Sequence, residues 1–206
     1  MIDFKQTTAY QFLLSAKLGD GAYIAHPSGS TYFQFTSYKP DYIYHVKQLL
    51  SNAGFMFIPI RTVHSGYKKG STGLQLCTRI DDRLKVIRKL SIMDTLSNLD
   101  TVGLSYLFLD DGSIHKHKFF GNLYCNTFTD IEVQKLIDVF YQFYPVKCCV
   151  KGVDRKKDGR QYPYVRIPRA VMDLFKHDVK KLIDENGLRC FDYKVVSPSQ
   201  TIEKHD

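Results

Sequence analysis

The stretch that most restricts how this chain can fold is residues 104–112, L-S-Y-L-F-L-D-D-G. It is an apolar run of helical character that stops on two carboxylates and a glycine. Unpaired carbonyls at a helix C-terminus carry partial negative charge, so acids are unfavourable there unless a cation compensates. A divalent metal held through hard oxygen ligands is one such cation. A D-G turn that merely ends a core helix is the plainer alternative. The pattern occurs twice: residues 13–21 read L-L-S-A-K-L-G-D-G, and Asp20 and Asp111 stand 91 positions apart in a chain of 206. A repeat at nearly half the chain length indicates an internal duplication, in which each half buries its apolar face against the other. Small residues interrupt both runs (Ser15 and Ala16; Gly103 and Ser105). They allow close approach if the two helices pack side by side, with Asp20 and Asp111 meeting at the lower end.

Each half then follows one order: helix, hairpin, helix, hairpin, helix. Thr7 or Thr8 caps the first helix, and residues 22–25 and 31–37 alternate as a hairpin. Pro40 opens a helix that Gly54 closes. A second hairpin is expected over 56–63 and 74–80, and residues 83–99 read as helical or irregular. In the second half, Asp100 or Thr101 caps the motif helix, and hairpin strands are expected over 113–117 and 119–126. Thr129-Asp130-Ile131-Glu132 is a capping box. A further hairpin (146–153 and 162–167) and an amphipathic helix after Pro168 complete the half. The fold class is α+β: two pseudo-symmetric αββαββα repeats, residues 1–97 and 98–206, each with an antiparallel sheet.

Charge bears on the partner. Lys and Arg number 29 against 21 Asp and Glu, a net charge of +8 spread over both halves. A duplicated basic protein suits a polyanion that contacts both halves, and duplex nucleic acid is the simplest candidate. The five cysteines are odd in number and show no C-x-x-C spacing, against a disulfide scaffold or zinc ribbon and for a reducing interior. His115-x-His117 lacks a third ligand in register for zinc. No opening apolar segment resembles a signal peptide, and no run approaches the roughly 20 residues that span a bilayer, so a soluble, intracellular protein is expected.

The paired motifs resemble those of the LAGLIDADG homing endonucleases in their single-chain, two-repeat form. Gly19-Asp20-Gly21-Ala22-Tyr23-Ile24 is similar to the family's first-repeat signature and S-Y-L-F-L-D-D-G-S to its second. N-T-F-T-x-x-E-V (residues 126–133) and the closing Asp192-Tyr193-Lys194 resemble further elements, so that the likeness covers residues 9–196. It implies a saddle of two antiparallel sheets, packed through the two motif helices, whose strands lie in the DNA major groove. It also implies that Asp20 and Asp111 bind Mg²⁺ (or Mn²⁺) at the scissile phosphates. Asp110, matched by Gly19 in the first repeat, would tune the site rather than ligate.

A phosphoryl centre also needs a cation to offset developing charge. The resemblance makes Lys194 that residue in the second repeat. In the first, Arg88 fits by spacing and Lys89 by residue type; the proline usual after this lysine is replaced by Ile92 and Met93. Gln34 and Asn126, on strands near the motifs, are candidates for positioning the attacking water, although the family often has glutamine where Asn126 stands. For DNA contact the candidates are Arg61, Lys68, Lys69 and Arg79 on one hairpin, and Lys116, Lys118, Lys151, Arg155, Lys157, Arg160 and Arg166 on the others, with Tyr67, Tyr162 and Tyr164 interleaved. The leading reading is a monomeric, site-specific endonuclease that cuts both strands of a long recognition site across the minor groove. A maturase-like protein that binds intron RNA on the same fold is the main rival. A DNA-binding regulator on a degenerate copy of the fold is the third.

Overall fold

The computed structural model describes residues 3–64, 72–115, 120–145, 149–155 and 161–195. These fall into two compact units, Met1–Ser91 and Ile92–Asp206.

The first unit begins with a 3₁₀ turn (Phe4–Gln6), followed by α1 (Thr8–Leu18), β1 (Gly21–Ala25), β2 (Thr31–Ser37), α2 (Pro40–Asn52), β3 (Arg61–His64), β4 (Thr72–Cys77) and α3 (Asp82–Lys89). Local chemistry sets most boundaries. Thr7 Oγ1 accepts the Tyr10 N–H at the start of α1. Pro40 occupies the first turn of α2, and Gly54, at φ +82°, turns the chain out of it. Asp81 caps α3 by accepting the Arg83 N–H. The strands form one antiparallel sheet in the order β1-β2-β4-β3. Along β2, Phe33 and Phe35 are buried while Tyr32, Gln34 and Thr36 lie on the other face. Both phenylalanines meet Phe12 of α1 edge-to-face, and Tyr42 of α2 does the same to Phe12 and Phe35. Helices therefore cover one face of the sheet. β3 is shorter than the expected 56–63. Pro59 has no N–H to give a ladder, and pairing before Arg61 is reduced to the isolated bridge Phe57–Thr78.

The second unit adds α4 (Ile92–Ser97), then repeats the series: α5 (Thr101–Asp111), β5 (Gly112–His115), β6 (Phe120–Tyr124), α6 (Asp130–Phe143), β7 (Val150–Arg155), β8 (Gln161–Ile167) and α7 (Arg169–Glu185), closing on a 3₁₀ helix, Arg189–Lys194. Residues 83–99 thus contain two short helices; α3 packs on the first sheet and α4 on α6. The capping box forms as expected, with Thr129 and Glu132 bonding each other's backbone N–H. The sheet order β5-β6-β8-β7 repeats that of the first unit. Its core centres on Phe175, which meets Phe108, Phe140 and Tyr144 edge-to-face.

The registers coincide. Gly21 pairs with Phe35 and Ala22 with Gln34, as Gly112 pairs with Leu123 and Ser113 with Asn122. Gln34 faces Cys77 and Thr36 faces Gln75, as Asn122 faces Arg166 and Tyr124 faces Tyr164. Arg61 opposite Gln75 then corresponds to Gly152 opposite Tyr164. The duplication holds residue by residue across both sheets.

Candidate active site and nucleic-acid face

Each motif helix runs almost directly into the first strand of its sheet, and the acid stands at that junction. Asp20 is exposed, one position after the C-cap Gly19; Asp111 is half-buried, the last residue of α5. Backbone at Gly19 (φ −115°, ψ −122°) ends α1 early, whereas Asp110 stays helical. The following glycines do not take left-handed backbone. They are required because the turn is tight. A Cβ on Gly21 would lie 2.7 Å from Ala16 Cβ and from the Phe33 ring, and one on Gly112 2.2 Å from the Phe108 ring. Only glycine lets the strand start against the helix it has just left.

A lysine lies at the negative end of each motif helix, but only Lys194 bonds that helix's own carbonyls. Lys194 is 5% exposed, and its ammonium donates to the carbonyls of Phe108 (2.9 Å), Leu109 (2.6 Å) and Gly112 (2.8 Å). Three donors meet three acceptors of the last turn. In the first unit Lys17, in the last turn of α1, donates to the Arg88 carbonyl at 3.0 Å. Burial lowers the Lys17 pKa, and the nearby Arg88 charge adds to this. Lys89 ends α3 exposed and Arg88 is exposed beside it, so neither matches the buried position of Lys194. Beside the second acid, burial pushes the Cys125 thiol up to about 12; a bond from the Val165 backbone opposes the shift, and the charge of Asp111 adds to it. The thiol form is thus favoured where Cys125 is buried.

Among the described residues no three His, Cys, Asp or Glu side chains converge as a metal cage. Mg²⁺ commonly takes one or two carboxylates and completes its shell with water and substrate phosphate. Asp20 in one unit, and Asp111 beside Asp110 in the other, are the carboxylates that could hold one.

The helix-free face of each sheet carries the other candidates. In the first, Arg61 Nη2 donates to Gln75 Oε1 (3.3 Å) and approaches Cys77 Sγ (3.8 Å), while Gln75 donates to Thr36 Oγ1 (3.4 Å). Arg61 and Arg79 share a cleft of about 540 Å³ with Tyr32, Ile58 and Ile80. In the second, the Arg166 guanidinium lies 4.8 Å from the Phe120 ring centre and donates to the Tyr164 hydroxyl at 2.9 Å. His115 stacks on Phe120, and Tyr124 leans on Tyr164.

Two expected residues stand elsewhere. Lys151 faces the side with Val165, where it pairs with Asp130 (2.5 Å) at the start of α6, away from the Arg166 face. Asn126 lies beyond β6 in an exposed turn; the residue equivalent to Gln34 in the second sheet is Asn122, whose Oδ1 is shielded from solvent and accepts no hydrogen bond among the described residues. Gln34 stands 13 residues after Gly21 but Asn122 only 10 after Gly112, so equal spacing does not identify the pair, and the likeness of N-T-F-T to a family element points to Asn126 instead. Gln75 and Phe120, which orient the two arginines, had no distinguishing signal in the sequence. Lys68, Lys69, Lys116, Lys118, Lys157 and Arg160 lie outside the described residues, as does the side chain of Arg155.

Two acids at two repeated helix-to-strand junctions, each beside a four-stranded antiparallel sheet of the same order, are the arrangement of a LAGLIDADG-type protein. The sequence matches the LAGLIDADG DNA endonuclease family over residues 13–175, and the chain belongs to that family. A search of curated proteins gives no match. Among solved structures, the fold is similar to the homing endonuclease I-WcaI bound to its DNA recognition sequence (TM-score 0.69, 17% identity, covering 95% of this chain and 88% of that one). It is also similar to I-DmoI in complex with DNA and Mn (0.55, 12%, 84% and 96%) and to the N-terminal LAGLIDADG domain of DUF199/WhiA (0.55, 11%, 84% and 82%). No helix among the described residues is long and apolar enough to cross a membrane.

Proposed function

We propose that this protein is a site-specific DNA endonuclease that makes a metal-dependent double-strand break, one acid serving each strand of one duplex across the minor groove. The observation that carries the reading is the equivalence of Asp20 and Asp111: same register, same helix-to-strand junction, each directly before a glycine that packing demands. Asp20 and Asp111 would hold Mg²⁺ or Mn²⁺ at the scissile phosphates, where such an ion would supply a nucleophilic water and charge stabilisation at phosphorus. Lys194 acts through Asp111 by holding the end of α5 in place, while the candidates for charge at the phosphate in the first repeat remain Lys89 and Arg88. Gln34 and Asn122 orient water or bases near each acid. Arg61, Arg79 and Arg166 contact duplex DNA in the major groove, which admits two-stranded ribbons. One chain supplies both repeats, so a monomer suffices. I-DmoI structures with Mn and with Mg support the choice of metal.

The test is a plasmid carrying the DNA that flanks this reading frame in its host, incubated with protein and Mg²⁺. The reading predicts linear product that chelation by EDTA abolishes; intact supercoiled plasmid under all divalent metals would refute it. A second reading, binding of intron RNA, draws on the aromatic platform of His115, Phe120, Tyr124 and Tyr164, since single-stranded bases stack on such rings. It predicts RNA binding that survives Asp20→Asn and Asp111→Asn.

A further inference from the structure

The matched registers expose an exchange between the two sheets. Position for position, Arg61 corresponds to Gly152 and Cys77 to Arg166. Each sheet has one arginine of the pair and one small residue, in opposite assignments. In the first sheet the guanidinium comes from β3 and reaches across Gln75 towards Cys77 Sγ. In the second it comes from β8 itself. The two solutions exclude each other. A Cβ at Gly152 would lie 2.2 Å from the Tyr164 ring, so no side chain can reach over from β7 while Tyr164 occupies that space. A residue longer than cysteine at position 77 would fill the place Arg61 reaches into. The Arg61 guanidinium ends on Gln75 in a cleft that Tyr32 also lines, and the Arg166 guanidinium ends between Phe120 and Tyr164, the residues equivalent to Tyr32 and Gln75.

Both groups are also held. Arg166 lies against Phe120 and gives one N–H to the Tyr164 hydroxyl; Arg61 gives one to Gln75 Oε1. Most of the five donors of each remain for a ligand. A phosphate contact needs only charge and tolerates a loose side chain. A planar fork fixed by a ring and a hydrogen bond, as Arg166 is, or by a hydrogen bond, as Arg61 is, matches a flat, two-acceptor edge, and the O6/N7 edge of guanine is the one duplex DNA offers to arginine. We propose that Arg61 and Arg166 are specificity-determining residues, each reading one guanine in its own half of the target. This rests on the endonuclease reading above and identifies which side chains set its sequence preference.

The experiment selects targets for the wild-type protein from a randomised duplex DNA pool in Ca²⁺. It then measures binding to every single-base-pair variant of the selected duplex. Wild type is expected to prefer G·C at two positions, one per half. Arg166→Ala should flatten the preference at one of them, where the wrong base costs wild type roughly tenfold or more, and leave the rest intact. Arg61→Ala should do the same at the other. Arg166→Lys keeps the charge but lacks the fork, so it should lose the same preference; it also serves if the alanine variant is unstable. The proposal is overturned if the variants weaken all duplexes equally with a shallower salt dependence, the mark of a phosphate contact. It is equally overturned if every preference survives. If wild type selects no duplex, the endonuclease reading falls and this inference with it; normal selection with unaltered variants sinks the inference alone.

Discussion

A methyl group at Gly112 would meet the Phe108 carbonyl at 2.4 Å as well as its ring, and backbone cannot move aside as a flexible side chain can. Gly112→Ala is therefore expected to destabilise the protein by about 1–3 kcal/mol, the usual cost of overpacking. A denaturation midpoint unchanged from wild type would show that the junction is looser than described. His45 provides a second test. It is packed along Tyr42 on α2, and burial lowers its pKa from 6.5 to about 4. The unfolded chain binds this proton more readily, so the contribution is present above pH 6.5 and is lost as pH falls towards 4. It is worth at most about 3 kcal/mol. Replacing His45 with Phe should flatten the stability–pH curve between those values, as followed by urea titration; an unaltered slope would assign the acid sensitivity to other groups.

Among the elements, α5 depends on a residue 83 positions beyond Asp111. Removing the Lys194 ammonium takes a charged donor from the carbonyls of Phe108, Leu109 and Gly112, of which Phe108 keeps the Gly112 N–H. Lys194→Met is expected to cost about 2–3 kcal/mol, within the range for charged hydrogen bonds, and to slow cleavage while DNA binding persists. Lys17→Met should cost less, because that lysine makes one such bond and is only half-buried. Equal melting temperatures for Lys194→Met and wild type would remove the cap from the account. The elements themselves were largely legible in the sequence, because their signals are local: Thr7, Pro40, Gly54, and the Thr129–Glu132 box. What was not legible depends on distant partners. The Tyr193-Lys194 pair resembles a family element, but nothing in its spacing announces that the ammonium turns inward onto α5. The alternation of β6 identifies a strand, yet only its register with β5 and β8 reveals that Asn122, not Asn126, stands where Gln34 does. Lys151 resembles any hairpin lysine until the pairing of β7 with β8 puts it on the side of α6.

For the molecule as a whole, the sequence carried the central idea in its duplication. Two sheets of the same order and register bear it out at the level of fold, and the division of the chain into two compact units fits it. A net charge of +8 predicts that affinity for duplex DNA falls steeply with salt, by about 10³-fold between 50 and 200 mM if some six phosphates are contacted. A salt-independent affinity would contradict a phosphate-gripping surface. The proposed chemistry requires the two acids to act as equals, and one measurement tests this most directly: strand-resolved cleavage in Mg²⁺ of a plasmid bearing the selected target. Wild type should give linear DNA, and neither Asp20→Asn nor Asp111→Asn should give any. Linear product persisting in either variant would show that the acid in question is no part of the reaction.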